Sequence, residues 1–195
     1  SAAAQTDAGR PRYTDADWAM LPAWCIDTQD GKFGGPSFGS DAVGQNHSPR
    51  SRQWTALFGG DFWHMHHICR AMYHEQRSRL AAMSSKDRGD AISRALSEYA
   101  YIVQNCSPSM RLMPEVYYRI GDLYLRVNDV ARAGEAFLTS RRLKPDYWPS
   151  YSRWADQLVA LKLHDQARAL VEEGLSWAPE QPELMKRFKA LGGTV

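Results

Sequence analysis

Four of the chain's six histidines fall in one short stretch, Phe62-Trp63-His64-Met65-His66-His67-Ile68-Cys69-Arg70-Ala71-Met72-Tyr73-His74. Imidazole and thiolate are favoured ligands of zinc, copper and haem iron, so metal or haem binding is the first chemistry to weigh. Helix geometry limits it. At about 100° per residue, His64, His67 and His74 share one face, and His66 and Cys69 share another. His67 and His74 stand about 10 Å apart along the axis, too far to share an ion. The stretch therefore offers two ligands at a time, whereas a structural zinc site needs four and a catalytic one three plus water. Cys25 or His47 would have to complete the set. A metal or haem site on His64, His66, His67 and Cys69 is the alternative reading. The preferred one is a histidine-rich helix packed under an N-terminal arm, its imidazoles making ordinary hydrogen bonds.

Other chemistry has less support. The sequence has no Gly-x-Ser-x-Gly elbow, no His-Glu-x-x-His and no Gly-x-x-x-x-Gly-Lys-Ser/Thr phosphate loop. Glu75, the nearest acid to the histidines, reads as surface. No catalytic residue and no cofactor is assigned, and the chain is not expected to be an enzyme. Cys25, Cys69 and Cys106 form no Cys-x-x-Cys pair. In an oxidising compartment two of the three could bond, and a Cys25–Cys69 disulfide would pin the arm to the helices behind it. In a reducing one all three are buried thiols. The start, Ser1-Ala2-Ala3-Ala4-Gln5, has the small residues found around a signal-peptidase cut. The expectation is an exported, periplasmic protein, with a cytoplasmic location as the alternative.

The elements that must position these residues follow from composition and pattern. The 195 residues are 44% hydrophobic and 24% charged, enough to build one helical core. A net charge of +2 lacks the basic surplus of proteins that bind nucleic acid or anionic membrane. No run of about 18 apolar residues is present, so no transmembrane segment is expected. Residues 1–60 read as an N-terminal arm and a glycine-rich loop. In the arm, Thr14 caps a short helix through Leu21, with Asp17 completing a capping box and Pro22 ending it. Seven of the fourteen glycines lie between Gly31 and Gly60, which predicts a loop over 27–60 stapled down by Phe33, Phe38, Trp54 and Phe58. Residues 61–195 read as helix after helix: Asp61 to about Met83, a break at 84–89, Asp90 to Asn105, then a repeat.

Pro145 and Pro179 are 34 residues apart. The same shift aligns Tyr117 with Tyr151, Ile120 with Trp154, Gly121 with Ala155, Tyr124 with Leu158, Ala133 with Ala167 and Phe137 with Val171. The small residues let paired helices approach, the large ones fill the space between hairpins, and the prolines stop each second helix at the same place. Asn128-Asp129 and His164-Asp165 occupy the turns.

Residues 114–147 and 148–181 resemble two tetratricopeptide repeats (TPR), with 182–195 as a capping helix and 61–113 as an irregular upstream hairpin. The resemblance implies an all-α solenoid of stacked antiparallel hairpins whose first helices build a concave wall. Its inward residues would be Tyr118, Asp122, Leu125, Arg126, Ser152, Asp156, Val159 and Lys186. That mixture suits a partner's extended peptide or helix. It lacks the lysine, asparagine and arginine pattern with which chaperone-binding members hold a C-terminal carboxylate. The expected function is a non-enzymatic scaffold or assembly factor, set by family analogy in a bacterial envelope. Exposed apolar solenoid ends would permit a homodimer.

Overall fold

The computed structural model describes residues 11–31 and 49–194. Phe33, Phe38, His47, the start at 1–5 and half of the expected loop over 27–60 lie outside them. Every regular element among the described residues is helical, so the fold class is all-α. None of these helices is long and apolar enough to cross a membrane. The chain forms two compact units that divide between Met110 and Arg111. The sequence pattern places a boundary at residue 60 instead, because it weighs glycine content over packing. The arm in fact belongs with the helices up to residue 110.

In unit 1 the arm carries α1 (Asp15–Met20) and a 3-10 turn, Ala23–Asp27. The capping box at Thr14 is present: Asp17 N–H donates to Thr14 Oγ1, and Asp17 Oδ2 accepts from Thr14 N–H at 2.7 Å. Next comes α2 (Pro49–Phe58), where the glycine count predicts loop. The glycines of that zone cluster at 31–44 and 59–60, and the stretch between holds helix formers behind a proline at the first helical position. The single helix expected over 61–83 is also divided. Gly59 takes a left-handed φ of 63° and starts a 3-10 turn, Gly59–His64. Then α3 (His66–Arg77) runs only to Arg77, and turns fill 78–83. Ser84 caps α4 (Ser85–Asn105) by accepting from Asp87 N–H at 3.1 Å, so the predicted break at 84–89 is a cap followed at once by helix.

The hairpin of α3 and α4 forms the core of this unit, with Ile68, Ala71, Ile92, Ala95, Tyr99 and Ile102 buried. The arm seals the other side of α3. Leu21 and Trp24 are buried, Cys25 is bonded to Cys69, and Asp30 takes two hydrogen bonds from Arg70 at 2.5 and 2.9 Å. Asp27, fully buried, accepts from Trp54 Nε1 at 2.8 Å and Arg50 Nε at 3.0 Å, which ties α2 to the arm. The disulfide spans a sequence separation of 44 residues, and closing a loop of that size removes roughly 4 kcal/mol of freedom from the unfolded chain.

Unit 2 holds α5 (Met113–Arg126), α6 (Val130–Leu143), α7 (Trp148–Ala160), α8 (His164–Trp177) and α9 (Pro182–Ala190). The ends of α5 and α7, the starts of α6 and α8, and the ends of α6 and α8 are each 34 residues apart. Close approach explains the small residues. A Cβ on Gly121 would stand 2.9 Å from the Phe137 ring, and one on Gly174 would stand 2.9 Å from both Tyr151 and Leu184. Tyr151, Ala155, Leu158, Ala167, Val171 and Leu184 form the core of the second hairpin and its cap. The turns repeat as well. Asn128 and Lys162 adopt left-handed φ of 59° and 62°. The next residue in each case closes the helix, Asp129 N–H to Tyr124 O and Leu163 N–H to Leu158 O, both at 2.9 Å.

Asparagine adopts that conformation at less cost than lysine. Lys162→Gly should therefore stabilise unit 2 by roughly 0.5–1 kcal/mol, read as a higher urea midpoint. An unchanged or lower midpoint would show that the turn carries no strain.

Candidate functional site

Two places gather polar side chains, one in each unit. In unit 2 the first helices lie side by side, α5 against α7 and α7 against α9, so their exposed faces form one continuous wall. The repeat fixes what stands on it. Asp122 accepts from Arg153 Nε at 2.7 Å, and 34 residues later Asp156 accepts from Arg187 Nε at 2.8 Å. Each pair joins one first helix to the next. Arg119, at the equivalent position of α5, bonds Glu115 at 2.9 Å, and Arg126 bonds Asp122 at 2.8 Å. Burial alone would raise the Asp122 pKa. The hydrogen bond from Arg153 and the charge of Arg126 outweigh it and hold the carboxyl below its ordinary range.

This changes the roles of the residues named from sequence. Asp122, Arg126 and Asp156 are on the wall but are engaged in the ladder between helices. Ser152 is buried. Tyr118 packs its ring 6.0 Å from Phe137 and 5.9 Å from Tyr147, so it is as much a filler as a contact. Leu125 is half-buried, while Val159 and Lys186 are exposed. The pattern analysis missed Arg153 and Arg187, although Arg119, Arg153 and Arg187 recur at the same 34-residue interval. It also missed Ser140. This fully buried hydroxyl donates to Pro114 O and accepts from Ser150 Oγ, both at 2.7 Å, joining α5, α6 and α7.

In unit 1 the histidines sit on or beside α3, and eight of its twelve residues are buried. His64 Nδ1 meets Tyr101 Oη at 3.2 Å, His66 Nδ1 meets Trp63 O at 3.1 Å, and His67 Nδ1 meets Glu98 Oε2 at 2.5 Å. The His67 ring stacks on Tyr101, with centroids 3.6 Å apart. Glu75 is buried rather than on the surface, and it accepts from Tyr99 Oη at 3.2 Å and Arg79 at 2.6 Å. The alternative ligand set His64, His66, His67 and Cys69 is not assembled. The Cys69 sulfur is spent on Cys25, and the three imidazoles turn to three different partners. Among the described residues no cluster of three or more histidine, cysteine or acidic side chains is placed to hold a metal ion.

With this geometry in place the second unit can be described by type. Unit 2 is an all-α helical repeat, two antiparallel hairpins with a 34-residue period and a closing helix. No family model matches the sequence, and no curated protein does. Solved structures similar to the chain include the first TPR of Spaghetti (RPAP3) bound to the HSP90 peptide SRMEEVD. That one is 17% identical over 63% of this chain and 93% of that chain, at a TM-score of 0.45. Another is the second TPR domain of the human RPAP3 protein in complex with the HSP70 peptide SGPTIEEVD. It is 12% identical over 66% of this chain and 99% of that one, at a TM-score of 0.44.

The buried histidines give unit 1 a definite response to acid. Burial, with His67 alongside, pushes the His66 pKa down to about 3. Burial and the Arg94 charge push His74 down to about 4. Asp30 opposes the shift at His66 and Glu98 opposes it at His74, while Arg70 adds to both and Arg77 to His74. Below pH 6.5 the unfolded chain binds protons that the folded chain refuses, so stability falls as pH drops from 6.5 toward these values. The loss should be roughly 1 kcal/mol per histidine per pH unit. Urea unfolding of unit 1 at pH 7 and pH 5 checks it, and His66→Gln with His74→Gln should flatten the dependence.

Proposed function

We propose that the chain is a non-enzymatic interaction scaffold that holds a partner's extended segment or helix against the wall of α5, α7 and α9. The observation that supports this best is the ladder Asp122–Arg153 and Asp156–Arg187. By joining successive first helices it fixes the wall before any partner arrives, and preorganisation lowers the entropy cost of binding. What the ladder leaves for recognition is a set of side chains at regular spacing: the edge of Tyr118, Leu125, Val159 and Lys186. A segment laid across them meets apolar contacts on α5 and α7 and one basic contact on α9.

Tests of this wall should avoid Arg126 and Tyr118, whose loss would also disturb packing. Val159→Asp with Lys186→Glu changes only exposed positions. In a selection of a displayed peptide library on the immobilised protein, the unaltered chain should enrich a recurring peptide motif. The double variant should bind that peptide about tenfold or more weakly, with an unchanged circular dichroism spectrum. Equal binding by both proteins would remove the wall from consideration.

The finer reading is an exported protein, periplasmic in a bacterial envelope, that serves as an assembly factor there. Its support is the Cys25–Cys69 bond, since such bonds persist in oxidising compartments. Protein drawn from its own cells with thiols blocked at lysis should yield Cys25 and Cys69 joined in one peptide pair and Cys106 alkylated. An alkylated Cys25 would overturn this placement.

A further inference from the structure

In unit 1, the end of α3, the turn 78–84 and the start of α4 line a pocket of ≈ 690 Å³ that is open to solvent. Its size is that of a small-molecule site. Neither the wall of unit 2 nor the hydrogen bonds of His64, His66 and His67 involve it. Its lining is sorted by chemistry. Tyr73, Leu80 and Met83 give it an apolar side, and the Tyr73 ring is held from behind by Tyr13 at 5.1 Å. Arg77 stands over that ring, 5.6 Å from its centroid, and Arg94 projects from α4 into the same cavity.

His74 also lines it. This side chain is 9% exposed, and among the described residues its imidazole has no hydrogen-bond partner. It is an unpartnered polar group opening on a cavity, where a ligand can supply what the protein does not. Two acids complete the lining. Asp87 is committed to the cap of α4, taking a hydrogen bond from Ser84 Oγ at 2.6 Å. Asp90 lies one helical turn before Arg94, yet among the described residues the two make no ion pair with each other. The cavity thus presents two guanidinium groups, one uncommitted carboxylate and an apolar side.

We infer that this cavity binds a small zwitterion with an apolar body, as in an apolar amino acid or a di- or tripeptide of such residues. The ligand's carboxylate lies toward Arg77 and Arg94, its ammonium toward Asp90, and its side chain against Tyr73, Leu80 and Met83. The uncharged His74 imidazole gives or takes a hydrogen bond beneath it. Arginine suits the carboxylate because its planar donors match the two oxygens.

The test is calorimetric titration of the whole chain with three probes: L-phenylalanine, L-phenylalanyl-L-phenylalanine, and N-acetyl-phenylalaninamide, which lacks both charges. Millimolar or tighter binding of the amino acid or the dipeptide, and not of the blocked amide, is expected. Which of the two binds tells a free amino acid from a peptide. Arg94→Gln and Asp90→Asn, both at exposed positions, should each weaken it about tenfold. The ring nitrogen signals of His74 should shift on saturation. No binding of either charged probe, equal binding of the blocked amide, or binding with a silent His74 would each overturn the assignment. So would binding seen only in a variant lacking residues 1–10, since the chain's own N-terminus would then be the occupant.

Discussion

Unit 1 depends on the burial of α3, a helix whose sequence does not invite it. It carries three histidines, two arginines, a glutamate and a glutamine among twelve residues, yet eight of the twelve are buried. A helix so polar is a poor core element unless its buried groups find partners, and all but His74 find one among the described residues. Those partners come from three directions. Glu98, Tyr99 and Tyr101 come from α4, Trp63 O from the turn before, and Asp30 and Cys25 from the arm. The arm is therefore part of the core, and its short elements hold their places because α3 needs them. The same need fixes the Arg70–Asp30 pair, in which the Asp30 side chain is almost fully buried and would be costly without the guanidinium.

Unit 2 is organised on the opposite principle. Its core is apolar apart from the Ser140–Ser150 hydrogen bonds and small residues set its spacing, while its charges join neighbours of like kind across the wall. Asp122–Arg153 and Asp156–Arg187 are one interaction written twice, and so are the left-handed turns at Asn128 and Lys162. The second copy of each is more exposed or less suited to its place. Arg187 shares itself between Asp156 and Glu183, and lysine stands where asparagine fits better. A repeat that drifts in sequence while its register persists indicates that the register is what packing enforces.

How much of this could be read beforehand follows from that difference. The period of 34, with Gly121, Ala155, Ala133 and Ala167 marking close contacts, made the paired helices of unit 2 legible, because repetition supplies its own check. The Thr14 capping box was legible because it is local. The arm was harder. Its partnership with α3 rests on contacts such as Asp30–Arg70 and Asp27–Trp54, which span tens of residues and leave no periodic trace. For the same reason α2 was hidden by its glycine-rich flanks, and Glu75 looked like surface until Tyr99 met it. The residues named for the wall lie on α5, α7 and α9, but their engagement with one another left no mark in the sequence. A carboxylate that recognises a partner and one that ties two helices look alike in one dimension.

The bond between Cys25 and Cys69 also makes the chain from 25 to 69 a covalent ring. A single peptide-bond cut inside that ring opens it without releasing anything. The arm keeps its hold on α3, and the nicked protein still runs as one species until a reductant is added. A cut just outside the ring, on the N-terminal side, frees only the leading segment.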